Sequence, residues 1–171
     1  MKIYLKSKKT QKLIKKDILD ICKLKNSHWD FGLKKQFNWF KKNIKKNDLH
    51  NFIIFKNEII GYTCLRMRTF FLTKDTEKKY LYFDTLIINK KYRKYKLSYK
   101  LMNFNSKVIE SSNRPSFLIC KKKLYDFYKK FNWKLTNRII FKLEDHKTNK
   151  RIMSFNLKKN KFSKTKIFIN K

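Results

Sequence analysis

Apolar residues at Leu13, Ile14, Ile18, Leu19 and Cys22 share one helical face and predict a helix over residues 12–25. The segment Asn26-Ser27-His28-Trp29-Asp30-Phe31-Gly32 breaks that period and predicts a loop. A second helical face follows, with Leu33, Phe37, Phe40 and Ile44 spaced by four, three and four residues, and Asn47-Asp48 ends it. Ahead of both helices, residues 3–5 predict a short first strand. Beyond them the pattern turns to apolar runs, 51–55 and 59–67, separated by Lys56-Asn57-Glu58; this is a hairpin signal. Residues 80–88 predict another strand, with Asp84 set among Leu81, Tyr82, Phe83, Leu86, Ile87 and Ile88.

A basic loop over 89–96 leads into a helix carrying Leu97, Leu101, Phe104 and Val108. Asn113-Arg114-Pro115 forces a turn. Residues 117–120 then predict a buried strand, 124–131 a short aromatic helix, and 138–143 with 151–157 a final hairpin. The order β-α-α-β-β-β-α-β-α-β-β predicts an α/β domain, a mixed sheet with helices on both faces. The expected boundaries are one domain over 1–157 and a basic strand or tail over 158–171.

Composition narrows the class. The 171 residues make about one domain, and 42% hydrophobic content supports a packed core despite a formal charge of +34. No apolar run nears the roughly 20 residues of a membrane helix, and residues 1–25 lack a signal-peptide core. The expectation is a soluble cytoplasmic protein, monomeric or homodimeric. Only six of the 46 basic residues are Arg, Ala is absent, and Val108 is the single Val. Codon bias toward A and T produces that profile without any partner, whereas a phosphate-gripping surface would use more Arg. The charge nevertheless attracts polyanions non-specifically, so a basic RNA-binding module without catalysis is the alternative reading. Cys22, Cys64 and Cys120 lie far apart without a CxxC pair, and His28, His50 and His146 show no ligand spacing. Disulfides and a metal site are not expected.

The segment 82–102, YFDTLIINKKYRKYKLSYKLM, carries the most chemistry. A buried strand, a basic turn and an amphipathic helix in direct succession point backbone N–H groups and a positive helix end at one spot, an anion site. Arg93, Lys94 and Lys96 add charge there. Either this site takes a phosphate or pyrophosphate, or it is a basic loop of a Lys-rich protein.

The segment resembles the acyl-CoA-binding motif of the GNAT superfamily of N-acetyltransferases, whose turn has the form Arg/Gln-x-x-Gly-x-Gly/Ala. Here the turn is Arg93-Lys94-Tyr95-Lys96-Leu97-Ser98, preceded by Leu86, Ile87 and Ile88. Arg93 matches, Ser98 is a small stand-in, and Lys96 replaces the first glycine. A Cβ at that position can hinder close approach of a phosphate, while the Lys96 side chain can supply an ammonium to it. Downstream, FLIC followed by LYDFYKKFNW resembles the family's fifth strand and following helix, with Asn132 in place of the usual glycine as a left-handed cap. The hairpin around NEIIGYTCLR resembles its second and third strands, so the likeness covers about residues 13–133.

The resemblance implies a mostly antiparallel, twisted sheet of about six or seven strands, splayed in the middle. It also implies acetyl-CoA as co-substrate, no metal, and transfer of an acetyl group to a primary amine of a small molecule, an amino sugar being favoured. Leu86, Ile87, Ile88 and the turn Arg93 to Ser98 would hold the cofactor, and His28 and Trp29 would shape the acceptor pocket. Tyr128 aligns with the tyrosine that protonates the departing thiolate; the alternative is a packed helix tyrosine, and Tyr125 is the neighbour easily confused with it. Asp84 is the one carboxylate in an apolar strand, where burial raises an acid's pKa toward that of a useful base. It either deprotonates the acceptor, caps a loop, or pairs with Arg66 or Arg68.

Overall fold

A computed structural model describes residues 1–71, 77–136, 150–157 and 168–169. Its strands are β1 (Tyr4–Lys9), β2 (Leu49–Phe55), β3 (Glu58–Phe71), β4 (Glu77–Ile88), β5 (Ser116–Lys121), β6 (Lys134–Leu135), β7 (Lys150–Phe155) and β8 (Phe168–Ile169). The helices are α1 (Lys15–Asn26), α2 (Leu33–Asn43), α3 (Leu97–Ser111) and α4 (Tyr125–Lys129). Hydrogen bonding joins the strands in the order β1-β2-β3-β4-β5-β7-β6, with β8 paired to β3. The sheet is mixed and mostly antiparallel; β4 and β5 run parallel and pair at Leu81–Ser116 and Tyr82–Phe117. The expected strand at 138–143 lies outside the described residues, as does most of 158–171.

The chain forms two compact units, Met1–Arg66 with Asp84–Asn105, and Met67–Phe83 with Ser106–Lys171. In the first, successive strand residues face opposite ways. Phe52, Tyr62, Cys64 and Ile87 therefore pack against Ile21, Cys22 and Leu24 of α1 and Phe40 of α2. Ile53, Ile60 and Ile88 pack on the other side against Leu97 and Leu101 of α3. Each such buried side chain contributes roughly 1.5–3 kcal/mol. Ile60 joins the α3 side although Tyr62, two residues on, does not. The register explains it: Ile53 pairs with Gly61 and Ile54 with Ile59, leaving Ile60 as the extra residue of a bulge. A Cβ on Gly61 would meet Ile88 Cδ1 at 2.9 Å, so glycine keeps this face closed.

β1 is longer than residues 3–5 predicted, because its side chains are exposed or half-buried and show no apolar alternation; backbone pairing from Tyr4–Ile54 to Lys9–Leu49 defines it. α1 starts at Lys15, where the Asp17 carboxylate accepts from the Ile14 N–H at 3.1 Å. The β2–β3 turn holds Lys56 and Asn57 at φ 48° and 62°, the two positive angles a tight hairpin needs. In the second unit, the nearly inaccessible Trp133 packs 5.5 Å from both Phe83 and Phe155. Asn132, at φ 61°, ends the turn after α4 as its left-handed tolerance predicts.

Candidate active site

The first element of the site is the β4–α3 junction. Asn89 Oδ1 accepts from the Lys91 N–H at 3.1 Å and opens a 3-10 turn over Lys90–Tyr95. Lys96 then takes φ 51° and ψ 29°, and α3 begins at Leu97. This is the left-handed conformation glycine favours, held here by a lysine at a cost of roughly 1–2 kcal/mol. Ile87, Ile88 and Leu97 bury their side chains in the two cores, and Leu86 packs against the α3 side. Arg93, Lys94, Tyr95 and Lys96 are exposed and Ser98 is half-buried. The first turn of α3 holds no acidic residue. A positive helix end preceded by a turn that carries Arg93, Lys94 and Lys96 is suited to an anion.

The second element is the α1–α2 loop. The Trp29 N–H donates to Lys25 O at 2.8 Å, and the buried Gln36 amide of α2 donates to Trp29 O at 2.9 Å. Gly32 takes φ 85° and ψ 143°, a region other residues rarely occupy, and starts α2. So pinned, the loop forms one wall of a cavity of about 420 Å³. Trp29, Phe31 and Trp39 give it an aromatic lining; Lys25, Lys35 and Asp84 give it charge; Gln36 and Thr85 complete it.

Asp84 pairs with Arg66, Oδ2 to Nη1 at 3.4 Å, its side chain keeping 18% exposure, and Arg66 also donates to Asn43 O at 3.1 Å. Lys25 is only 6% exposed, and its Nζ stands 3.4 Å from the centre of the Trp39 ring. Among the described residues that Nζ makes no hydrogen bond and no salt bridge. Stacking of a cation on Trp is worth up to about 2 kcal/mol, against several for drying an ammonium. Desolvation accordingly pulls the Lys25 pKa below the usual lysine range, with Asp84 opposing it.

His28 is not in that cavity lining. It stands edge-on to Trp29 at 4.6 Å, and its Nδ1 lies 3.0 Å from Arg93 Nη2. Because a guanidinium only donates, Nδ1 accepts, and the bond requires the neutral ring. Arg93 also donates from Nε to Ile88 O at 3.2 Å, so one side chain ties the α1–α2 loop to the end of β4. Partial desolvation, with Arg93 and Lys90 adding to it, lowers the His28 pKa.

Tyr128 belongs to the second unit. It is buried on α4 among Phe83, Phe127 and Trp133, with ring centres 5.2–6.3 Å away. Burial raises its pKa, which keeps the phenol protonated; Tyr125 is half-buried. All three cysteines are free and buried, and burial pushes Cys22 up to about 11 and Cys64 and Cys120 upward. None has the thiolate character of a nucleophile. Among the described residues no cluster of three metal-ligating side chains occurs, and no helix is long and apolar enough to cross a membrane.

Trp29 and Asp84 thus line one cavity, while Arg93 to Ser98 run from the 3-10 turn through Lys96 into the first residues of α3. Lys25, Gln36 and Trp39 were not singled out from sequence. Their signal was faint: Lys25 follows Ile18, Ile21 and Cys22 on the apolar face of α1, where a charge is out of pattern.

No family model and no curated protein matches this sequence. Solved structures do. The GNAT family N-acetyltransferase YhbS of Escherichia coli, in complex with CoA, aligns with a TM-score of 0.71 at 12% identity, covering 98% of this chain and 89% of that one. An acyl-CoA N-acyltransferase from Pseudomonas aeruginosa gives 0.64 at 13% identity, over 90% and 97% of the two chains. The PaiA N-acetyltransferase of Thermoplasma acidophilum, in complex with coenzyme A, gives 0.57 at 14%, over 90% and 98%. The chain has the GNAT N-acetyltransferase fold.

Proposed function

We propose that the protein transfers the acetyl group of acetyl-CoA to a primary amine by direct attack within a ternary complex. The observation that carries this reading is Lys96, held in a glycine-like conformation between a buried strand and the unopposed positive end of α3. That conformation is the one glycine favours, at the position where the resembled motif has a glycine and this chain has Lys96. Acetyl-CoA supplies an activated carbonyl. The backbone of Leu86, Ile87 and Ile88 lies along the pantetheine arm and polarises that carbonyl, and the turn from Arg93 to Ser98 holds the pyrophosphate. The cavity under Trp29 takes the acceptor, and Asp84 draws in its ammonium and accepts the proton directly or through water. The amine nitrogen then bonds to the carbonyl carbon, the carbon–sulfur bond breaks, and Tyr128 gives its proton to the departing sulfur; the nitrogen sheds its second proton to water, and water returns a proton to Tyr128.

Two measurements test this. Calorimetry with acetyl-CoA and CoA should give binding, and no heat at millimolar ligand overturns the reading. Tyr128→Phe removes one hydroxyl and keeps the ring. General acid assistance contributes roughly 10²- to 10⁴-fold, so kcat should fall by about two orders of magnitude with acetyl-CoA affinity unchanged. Tyr125→Phe, one turn away, should be near wild type. Full activity in both variants removes Tyr128 from the mechanism.

A further inference from the structure

The cavity holds a charge that the protein itself does not neutralise. Lys25 is more than nine-tenths buried and faces this space, and among the described residues its ammonium has the π face of Trp39 against it and no hydrogen-bond acceptor. Asp84, the one carboxylate lining it, is already engaged by Arg66 at 3.4 Å. With Lys35 also on the wall, the cavity is net positive. A buried cation without a hydrogen-bond acceptor is disfavoured unless a ligand supplies one. A polycationic acceptor would meet Lys25 and Lys35 together, which repels it.

We propose that the cavity selects an acceptor carrying a carboxylate as well as its primary amine, with a flat apolar body between them. Lys25 takes the carboxylate, Trp29, Phe31 and Trp39 take the flat body, and the amine end lies toward Asp84. A single buried ammonium balances one negative charge, which favours a carboxylate over a phosphate dianion. Stacking between Lys25 and Trp39 fixes the cation against a ring, so a flat anion reaching Lys25 slides along the same aromatic surface. The volume, about 420 Å³, is ample for a substituted benzene ring and small for a trisaccharide. This assignment rests on the acetyl-transfer reading for the amine end, but the anion and ring contacts do not depend on it.

The test uses matched probes on the full chain. For transfer, 4-(aminomethyl)benzoate is compared with benzylamine as acceptor, acetyl-CoA being the donor. A charge-assisted contact made only by the first should raise its kcat/KM about tenfold or more over the second, chiefly through KM. In Lys25→Met that ratio should collapse to near one. For binding alone, 4-methylbenzoate and 4-methylbenzyl alcohol are titrated calorimetrically at 0.3 M salt. The carboxylate should bind at one site per chain and the alcohol far more weakly. If the carboxylate binds and no amine is acetylated, the pocket assignment stands and the transfer reading falls. If amines are acetylated with no preference for the carboxylate, or the preference survives Lys25→Met, the assignment falls and the transfer reading stands. Should Lys25→Met fail to fold, the two wild-type comparisons decide, and equal binding of acid and alcohol overturns the proposal.

Discussion

His50 and Lys25 are both buried polar residues of the first unit, and they are finished differently. His50 is fully buried with both ring nitrogens engaged, Nδ1 2.8 Å from the Tyr62 hydroxyl and Nε2 2.9 Å from Thr10 Oγ1. Nearby chemistry repeats the theme: Asn105 Oδ1 accepts from Asn51 Nδ2 at 2.7 Å and Thr63 Oγ1 at 2.8 Å, and its own amide donates to Leu101 O at 2.6 Å. Lys25, nearly as buried, ends on a ring face beside an open cavity. A closed polar group stabilises the fold because breaking it strands its partners. An open one weakens the fold and gives a ligand something to bind. The contrast separates scaffold from site more sharply than burial does.

The largest effect should come from opening the closed side. Asn105→Leu keeps the volume but leaves the Asn51 amide and the Thr63 hydroxyl without their acceptor. At roughly 1–3 kcal/mol for each stranded group, the variant should lose about 3 kcal/mol in denaturant unfolding. A loss under about 1 kcal/mol would mean that this network is not structural. Next is acid. Burial lowers the His50 pKa to about 4, against 6.5 in the unfolded chain. Between those values the unfolded chain binds a proton that the folded one refuses, so stability falls as pH falls from 6.5 toward 4 and the loss is complete below it. The shift corresponds to roughly 3 kcal/mol. Imidazole titration by NMR reads this directly; a His50 midpoint near 6.5 would sink the prediction. Lys25→Met should do the reverse of both. Removing an uncompensated buried cation is often neutral or stabilising, so the melting temperature should hold or rise, a change within about 1 kcal/mol. A loss of several kcal/mol would place Lys25 among the closed groups.

What the sequence made legible followed the same division. The helical period of Leu33, Phe37, Phe40 and Ile44, the alternation of faces at Phe52 and Ile53, and the strand–turn–helix at 82–102 all register as apolar spacing, and the fold follows from them. The full length of β1 escaped because its side chains leave the core unpatterned and its backbone bonds are set by a partner some 45 residues away. Asp84 stood out as one carboxylate in an apolar run; its choice of Arg66 depended on three-dimensional proximity. Lys25 was masked by composition, since one buried lysine cannot be told from 39 others when the charge is everywhere. His28 stood out as a pocket residue, yet the folded loop turns it toward Arg93.

That turn sets the smallest prediction. His28→Phe keeps an aromatic ring beside Trp29 and removes the nitrogen that accepts from Arg93. Being exposed, the bond contributes little to stability, and the melting temperature should not move. Its consequence is positional: Arg93 keeps its bond to Ile88 O through Nε but loses the hold on its outer nitrogen. The KM for acetyl-CoA should therefore rise about threefold with kcat unchanged, the size of one weak hydrogen bond. Acid should reproduce the effect in the wild type. Partial burial, Arg93 and Lys90 lower the His28 pKa, so the ring favours its neutral form near pH 7 and charges at more acid pH than an ordinary histidine. Once charged, Nδ1 carries a proton, the acceptor is lost, and two cations face each other. KM for acetyl-CoA should climb as the pH falls through the acid range in the wild type and stay flatter in His28→Phe. Equal KM values and parallel pH profiles would show that Arg93 needs no tether, and that the α1–α2 loop and the cofactor turn act independently.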